Sequence, residues 1–164
     1  MISFIVIGKN EEKNIEKCIN SITNTTIINK IIDYEIIYID SNSTDNSVQK
    51  VSKIKSVDIY QLTGDCNAAI GRNVGASISI GEYLFFIDGD MEINPTFINN
   101  VFDENLNLKY NFVSGQFENY YHDREGNLIS TELYHKNVIF KGAYCEKVEE
   151  IFINASFKSC IIRN

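Results

Sequence analysis

Short, β-branched apolar runs alternate with helical stripes through the first part of this chain, and that alternation permits few folds. Ile2 to Ile7 is one such run, closed by Gly8; Tyr34 to Asp40, Val57 to Leu62 and Glu82 to Ile87 are the others. Runs with so few polar positions suit strands covered on both faces. Between them, apolar residues recur at helical steps: Ile15, Cys18, Ile19 and Ile22 within Glu11 to Asn24, then Val48, Val51 and Ile54, then Ile70, Val74 and Ile78 within Asn67 to Ile80. Glu11 and Glu12 suit a helix N-terminus electrostatically. Ser43-Thr44-Asp45 reads as the cap of the second helix. Asn94-Pro95 starts a further helix, with Asn at the cap and Pro at the first helical position, and Ile98, Val101 and Phe102 form its buried stripe. Strands alternating with helices give βαβ units with right-handed crossovers. The expected fold class is therefore α/β, a mostly parallel central sheet flanked by helices.

From about Tyr110 the pattern changes. Phe112 to Tyr121 reads as one longer strand rich in Phe and Tyr. Asp123 to Asn127 is a turn, and Leu128 to Thr131 returns as a hairpin. Ala143 to Cys145 reads as another strand and Glu146 to Phe152 as a short helix, while Ile153 to Asn164 gives no assignment. A length of 164 residues predicts a single domain, 1–164, with a change of character between 1–109 and 110–164.

Composition narrows the class. Hydrophobic residues make up 44% and charged residues 23%, which excludes a disordered chain. The net charge is -7 and no dense Lys/Arg cluster appears, so no nucleic-acid partner is expected. Acidity does not forbid an anionic ligand, because a local cation reverses the sign of a small site. No apolar run approaches the ~18 residues of a membrane span, and the N-terminus lacks the features of a signal peptide. Cys18, Cys66, Cys145 and Cys160 are irregularly spaced, which argues against zinc. The expected location is cytoplasmic, or peripheral at the inner membrane face.

In open α/β sheets the ligand lies beyond the carboxyl ends of the strands. That directs attention to Gly8-Lys9-Asn10, Asp40 and Asp88-Gly89-Asp90. Two carboxylates at i and i+2 on an extended segment project to one side. The glycine between them lets a ligand approach the backbone. Oxygen ligands of this kind suit Mg²⁺ or Mn²⁺, which bind through one or two carboxylates plus substrate phosphates. The bland alternative is a solvated Asp-Gly turn. Asp40 is a second strand-end carboxylate, able to accept a base or ribose hydrogen bond. Its neighbours Ser41 to Asp45 equally suit a turn-and-cap cluster. Gly71-Arg72-Asn73-Val74-Gly75 puts two glycines inside a helical pattern, each costing about 1 kcal/mol against alanine, which signals close packing or ligand approach. Arg72 has the fixed charge and planar fork to reach a phosphate or base; a surface arginine is the ordinary alternative. His122 and His135 show no partner pattern. Phe112, Phe117, Tyr120 and Tyr121 fit a sugar site or an ordinary strand surface. The dinucleotide fingerprint, the Walker loop and the hydrolase elbow are all absent.

Together these segments resemble the N-terminal part of family 2 glycosyltransferases of the GT-A fold. Ile5-Val6-Ile7-Gly8-Lys9-Asn10-Glu11-Glu12 is similar to that family's first strand and its x-N-E loop. Ile39 to Asp45 resembles the V-D-D/N-G-S-T-D segment, Gly71 to Gly75 the A-R-N-x-G helix, and Phe86 to Asp90 the D-x-D site. Gly142 to Val148 is a weaker match to the later G-G-x-x-x-x-R-x-x-F region. The resemblance implies a GT-A, Rossmann-like sandwich with a nucleotide-sugar-binding half at 1–109 and a partial acceptor-side half at 110–164. It implies that Asp40 binds the nucleotide base with Gly8, Asn10 and Glu11 around it, that Arg72 sits near the nucleotide, and that Asp88 contacts ribose or metal. Asp90 would hold Mn²⁺ or Mg²⁺ against the diphosphate. The implied activity is inverting transfer of a sugar from a nucleotide sugar to a glycan, lipid-linked or other hydroxyl acceptor, in cell-wall or polysaccharide synthesis.

This chain departs from the pattern at Ile7, Gly8 and Gly71, where the family favours Pro, Thr/Ala and Ala. The family's base-supplying E-D segment follows the G-G region, yet the sequence stops about twenty residues after Gly142. The expectation is a C-terminally truncated donor-binding half with an unknown catalytic base. Asp123, Glu125, Glu146, Glu149 and Glu150 are the downstream carboxylates, and none is assigned that role. The second hypothesis is a non-catalytic nucleotide or nucleotide-sugar module serving a partner chain. A nucleotidyltransferase ranks lower, because its G-x-G-x-R signature is absent near the first strand.

Overall fold

A computed structural model of the chain describes residues 1–105, 107–110, 112–114, 118–133 and 159–164. The elements run β1 (Ile2–Gly8), α1 (Ile15–Ile28), β2 (Tyr34–Asp40), α2 (Ser47–Val51), β3 (Asp58–Gln61), α3 (Ala68–Ile78) and β4 (Tyr83–Asp88). Then follow α4 (Thr96–Val101), β5 (Phe112–Ser114), β6 (Glu118–His122), β7 (Leu128–Leu133) and β8 (Ser159–Arg163). Six strands form one sheet in the order β3-β2-β1-β4-β8-β5, and β6 and β7 form a separate hairpin. The β3-β2-β1-β4 portion is parallel, while β8 runs antiparallel to β4 and β5. β1 therefore has its sequence neighbour β2 on one side and the later β4 on the other, so the strand order reverses between β1 and β4.

The apolar runs divide by alternation into two faces. Phe4 and Val6 of β1, Ile36 and Tyr38 of β2, and Phe85 and Ile87 of β4 pack on one side with α1 residues Ile15, Cys18, Ile19 and Ile22 and with Ile98 and Val101 of α4. Ile5, Ile7, Ile37, Ile39, Leu84 and Phe86 face the other side, against Val74 and Ile78 of α3. Both faces are covered, as near-continuous hydrophobic strands require. Helix α3 lies close to the sheet because it presents glycine there. A Cβ on Gly71 would lie 3.2 Å from Ile7 Cγ2, and one on Gly75 would collide with Ile5 Cγ2.

Several elements differ from the sequence expectation. α1 starts at Ile15 rather than Glu11, because the Glu11 carbonyl first closes a turn, accepting from Asn14 N–H (3.0 Å) and Ile15 N–H (2.8 Å). It runs past Asn24 to Ile28 because Thr25 and Thr26 are still buried. Lys30, at φ 54°, then ends it, and the Ile31 N–H closes on the Thr26 carbonyl at 2.9 Å. α2 is only Ser47–Val51, so Ile54 packs from the loop beyond it. α4 starts at Thr96, with Pro95 at the cap and Asn94 Oδ1 accepting from Thr96 N–H (3.0 Å). The single strand expected over Phe112 to Tyr121 is two: β5 joins the central sheet and β6 the hairpin. The unassigned tail contributes β8, inserted between β4 and β5, with Ile161 and Ile162 buried. The expected elements at Ala143 to Cys145 and Glu146 to Phe152 lie outside the described residues. Among the described residues, no helix is long and apolar enough to cross a membrane.

Candidate functional site

The sheet register assembles the strand-end residues. Gly8 pairs with Asp40 on one side, and Ile7 pairs with Asp88 on the other. Gly8 thus stands between two strand-end carboxylates at the point where strand order reverses. The Glu11 stem packs over both nearby glycines: its Cγ would be 3.3 Å from a Cβ on Gly8 and 3.3 Å from one on Gly89. A side chain at either glycine would displace Glu11. The Gly89 N–H donates to the Ile7 carbonyl (2.8 Å), which fixes the chain as it leaves β4.

Two loops beside Gly8 are latched together. Three successive N–H groups, of Asn10, Glu11 and Glu12, donate to Ser43 Oγ (2.9 Å), Ser47 Oγ (2.8 Å) and Asp45 Oδ2 (3.1 Å). Asn10 Oδ1 accepts in return from Thr44 N–H (2.8 Å), and Glu12 Oε2 accepts from Asn46 N–H (3.0 Å). Asn10 (φ 59°) and Asn42 (φ 61°) both hold left-handed backbone, a conformation asparagine tolerates better than most residues. The cluster Ser43-Thr44-Asp45 therefore latches the two loops and does not supply the helix cap expected of it. Asn46 holds the cap position of α2 without a side-chain cap bond, while Asp45 Oδ1 accepts from Ser47 N–H (2.9 Å). Burial works against the Asp45 charge. Bonds from the Ser47 hydroxyl, the Ser47 N–H and the Glu12 N–H outweigh it and hold the carboxyl below its usual range.

Asp40 is fully buried. Its Oδ1 accepts from Tyr38 Oη (3.1 Å) and its Oδ2 from Ser43 N–H (2.9 Å). Burial, and then the Asp40 charge, push the Tyr38 phenol upward, so it stays a protonated donor. Arg72, on α3, is 1% exposed, and its Nη2 meets Asp88 Oδ1 at 2.6 Å. Asp90 is exposed, two residues further along. Negative charge accumulates here. Glu11 is raised chiefly by burial, against a hydrogen bond from Asn14, with Asp90 and Asp45 adding to the rise. The buried Cys18 thiol, 3.7 Å from the Asp88 carbonyl, is pushed up by burial and then by Asp90, Glu92, Asp88 and Glu11.

Among the described residues no group of three or more His, Cys, Asp or Glu side chains is arranged as a metal cage. A cage is not what Mg²⁺ or Mn²⁺ needs where phosphates complete the shell. Asp88 and Asp90 fit that donor set, in a region whose carboxylates repel one another.

The remaining predicted positions fall elsewhere. His122 ends β6 and is exposed. Asp123 organises the hairpin turn, accepting from Glu125 N–H (2.9 Å) and Asn127 N–H (2.8 Å), and Glu125 is exposed in that turn. Tyr120 and Tyr121 are exposed on β6. Phe117, His135, Gly142 to Val148, Glu149 and Glu150 lie outside the described residues. Sequence reasoning did not anticipate Tyr38 as the partner of Asp40, or Ser47 as part of the latch. The visible signal was an unbroken polar run from Asp40 to Ser47.

A parallel sheet with carboxylates at the switch point is the frame of an α/β ligand-binding domain. The sequence makes the class specific: the model of Glycosyl transferase family 2 matches residues 3–163, and the chain belongs to that family. Its sheet and helices are those of a GT-A glycosyltransferase fold. The poly(ribitol-phosphate) beta-N-acetylglucosaminyltransferase TarP of Staphylococcus aureus is 37% identical over 93 residues, covering 54% of this chain and 28% of that protein. The poly(ribitol-phosphate) beta-glucosyltransferase of Bacillus spizizenii is 33% identical over 94 residues, covering 54% of this chain and 14% of that protein. The chain thus spans less than a third of the length of these relatives. The crystal structure of S. aureus TarS 1-349 in complex with UDP-GlcNAc matches with a TM-score of 0.52 and 29% identity, over 60% of this chain and 29% of that one. The mannosyltransferase PcManGT from Pyrobaculum calidifontis, in complex with GDP-Man and Mn²⁺, shares the fold at a TM-score of 0.54 and 19% identity, over 69% and 34% of the two chains.

Proposed function

We propose that this chain holds the nucleotide-sugar donor of an inverting, metal-dependent glycosyl transfer to an acceptor hydroxyl. The observation that carries the proposal is the arrangement at the switch point. Asp88, paired with a buried arginine, ends β4 beside Gly8, with exposed Asp90 two residues on. Gly8 and Gly89 let Glu11 pack down onto the strand ends, which sets the floor of the site. The latched Asn10–Glu11 loop forms the wall of the base side. Asp40 acts there through the loop it shapes, since its carboxylate is engaged by Tyr38 and Ser43. Asp88 and Asp90 would hold Mn²⁺ or Mg²⁺, which neutralises charge developing on a leaving diphosphate. In the transfer, the acceptor oxygen bonds to the anomeric carbon from the face opposite the diphosphate. The bond to the diphosphate breaks, and the acceptor proton passes to a carboxylate base.

The UDP-GlcNAc complex of TarS favours a UDP-sugar as donor, and the names of the two poly(ribitol-phosphate) enzymes favour a hydroxyl of a polyol-phosphate polymer as acceptor. A cytoplasmic site of action fits a donor of that kind. Residues 1–109 form the donor-binding part in this proposal, and residues from 110 onward belong to the acceptor side.

A thermal-shift panel of UDP, GDP, CDP and TDP, with and without Mn²⁺, tests it. Ligand at ~100 times its dissociation constant stabilises by about 2.7 kcal/mol, a shift of roughly 5–11 °C at this size. A Mn²⁺-dependent shift with one nucleotide is expected, and Asp90→Ala should remove it while leaving the ligand-free Tm unchanged. An Asp90→Ala protein that binds with the same metal dependence rules out Asp90 as a metal ligand.

A further inference from the structure

An amphipathic helix ordinarily buries its apolar stripe, yet the buried positions of α3 are Gly71, Arg72 and Gly75. Ile70, the apolar residue beside them, is 40% exposed. The two glycines bring the helix close to β1, and what the close approach delivers is a guanidinium in the interior. That guanidinium is poorly satisfied. Nη2 reaches Asp88 Oδ1, but Nε and Nη1 are buried and have no hydrogen-bond partner among the described residues. Burying an arginine with two unmet nitrogens is a poor way to gain stability, because desolvation of the ion exceeds what a single contact returns. Its one ion pair goes to the carboxylate at the switch point.

We propose that Arg72 is a positioning residue: it fixes the Asp88 carboxylate for the cation and does not itself contact the nucleotide. Its 1% exposure leaves almost no surface for a ligand to touch. Partners that orient a metal-binding carboxylate typically contribute 10–100-fold in metal affinity. The assignment rests on the donor-site proposal above and adds a division of labour within it.

The test is Arg72→Lys in the 164-residue chain, with Mn²⁺ half-saturation measured at fixed nucleotide and the preference order among UDP, GDP, CDP and TDP measured at saturating Mn²⁺. Lysine keeps the charge but loses the planar fork. The expected result is a Mn²⁺ half-saturation raised by about 10-fold or more, with the nucleotide order unchanged. A variant that only melts earlier, with Mn²⁺ half-saturation unmoved, overturns the proposal in favour of a purely structural arginine. A changed nucleotide order with unmoved Mn²⁺ half-saturation overturns it in favour of a base contact. If the unsubstituted chain binds none of the four nucleotides, the donor-site proposal falls and this one falls with it. Should Arg72→Lys not fold, the Arg72 Nε–H resonance of the unsubstituted protein gives the answer. A shift on adding Mg²⁺ with nucleotide that metal-free nucleotide does not produce supports positioning through Asp88; the same shift with metal-free nucleotide, or no shift at all, refutes it.

Discussion

The central sheet and the β6–β7 hairpin draw on similar residues, Ile, Tyr, Leu and Val or Thr, yet they meet opposite environments. In β1 six residues from Ile2 to Ile7 are buried, and β4 is buried from Tyr83 to Ile87. In the hairpin Tyr120 is 60% exposed and Ile129 66%. β-branched and aromatic residues favour strands in either place, but they do not decide coverage. Coverage in the central sheet comes from the crossovers, which lay α1 and α4 on one face and α3 on the other. Among the described residues the hairpin is held by its own β6–β7 ladder, by Tyr121 Oη donating to Glu132 Oε2 (3.1 Å), and by its turn, where Asp123 gathers the Glu125 and Asn127 N–H groups and Gly126 takes φ 90°. A two-stranded hairpin by itself is marginal in water. The two regions therefore differ in what holds them: packed apolar surface in one, local hydrogen bonding in the other.

The largest expected effect breaks the packed region. Phe86 is fully buried between the sheet and α3. Phe86→Ala should cost about 3–5 kcal/mol, the lost transfer energy plus the cavity. At roughly 2–4 °C per kcal/mol for a chain of this size, calorimetry should show a Tm lower by about 10 °C. A drop of only a degree or two would mean that the sheet can collapse around the missing ring.

A smaller effect sharpens the contrast at the sheet's functional edge. Asp45 is held below the ordinary value of 3.8 by its bonds to Ser47 and Glu12. A depressed carboxylate contributes stability that is present above its unfolded pKa and lost as pH falls through its folded pKa. Asp45→Ala should therefore melt below the parent at pH 7. The gap should narrow as pH drops below 3.8, where the parent's own Asp45 takes up its proton. A gap that stays constant down to that acidity would show that the latch does not depend on the charge.

The sheet was legible because burial on both faces demands near-continuous apolar runs, and Ile2 to Ile7 and Tyr83 to Ile87 are such runs. β8 was not, since Cys160-Ile161-Ile162 is too short to declare itself and gains meaning only when β4 and β5 flank it. At the site, the strand ends pointed to Asp40, Asp88 and Asp90, because chain direction fixes where loops lie. Their partners were hidden. Ser43 holds Asn10 and Arg72 reaches Asp88 across stretches of chain whose closeness depends on the tertiary fold. Arg72 also looks like an ordinary surface arginine until the glycines beside it are seen to bring its helix against β1.

The smallest expected effect lies in the hairpin. Ile129 of β7 keeps two thirds of its surface in water, so Ile129→Ser removes little buried area. What changes is strand preference, a scale that spans about 1 kcal/mol in total and shrinks at exposed positions. The expected shift is within about 0.5 kcal/mol, under roughly 2 °C in Tm, with Mn²⁺-dependent nucleotide binding unmoved. The same isoleucine-to-serine change at Ile5, fully buried in β1, is the internal control, because it strips apolar contact and leaves a hydroxyl in the core. Equal losses at the two sites would mean that the hairpin is packed as tightly in solution as the sheet, and that coverage, not local hydrogen bonding, holds it. A large loss at Ile5 beside a negligible one at Ile129 would place the stability of this chain in the sheet that carries Gly8, Asp40 and Asp88, with the hairpin as a dependent appendage.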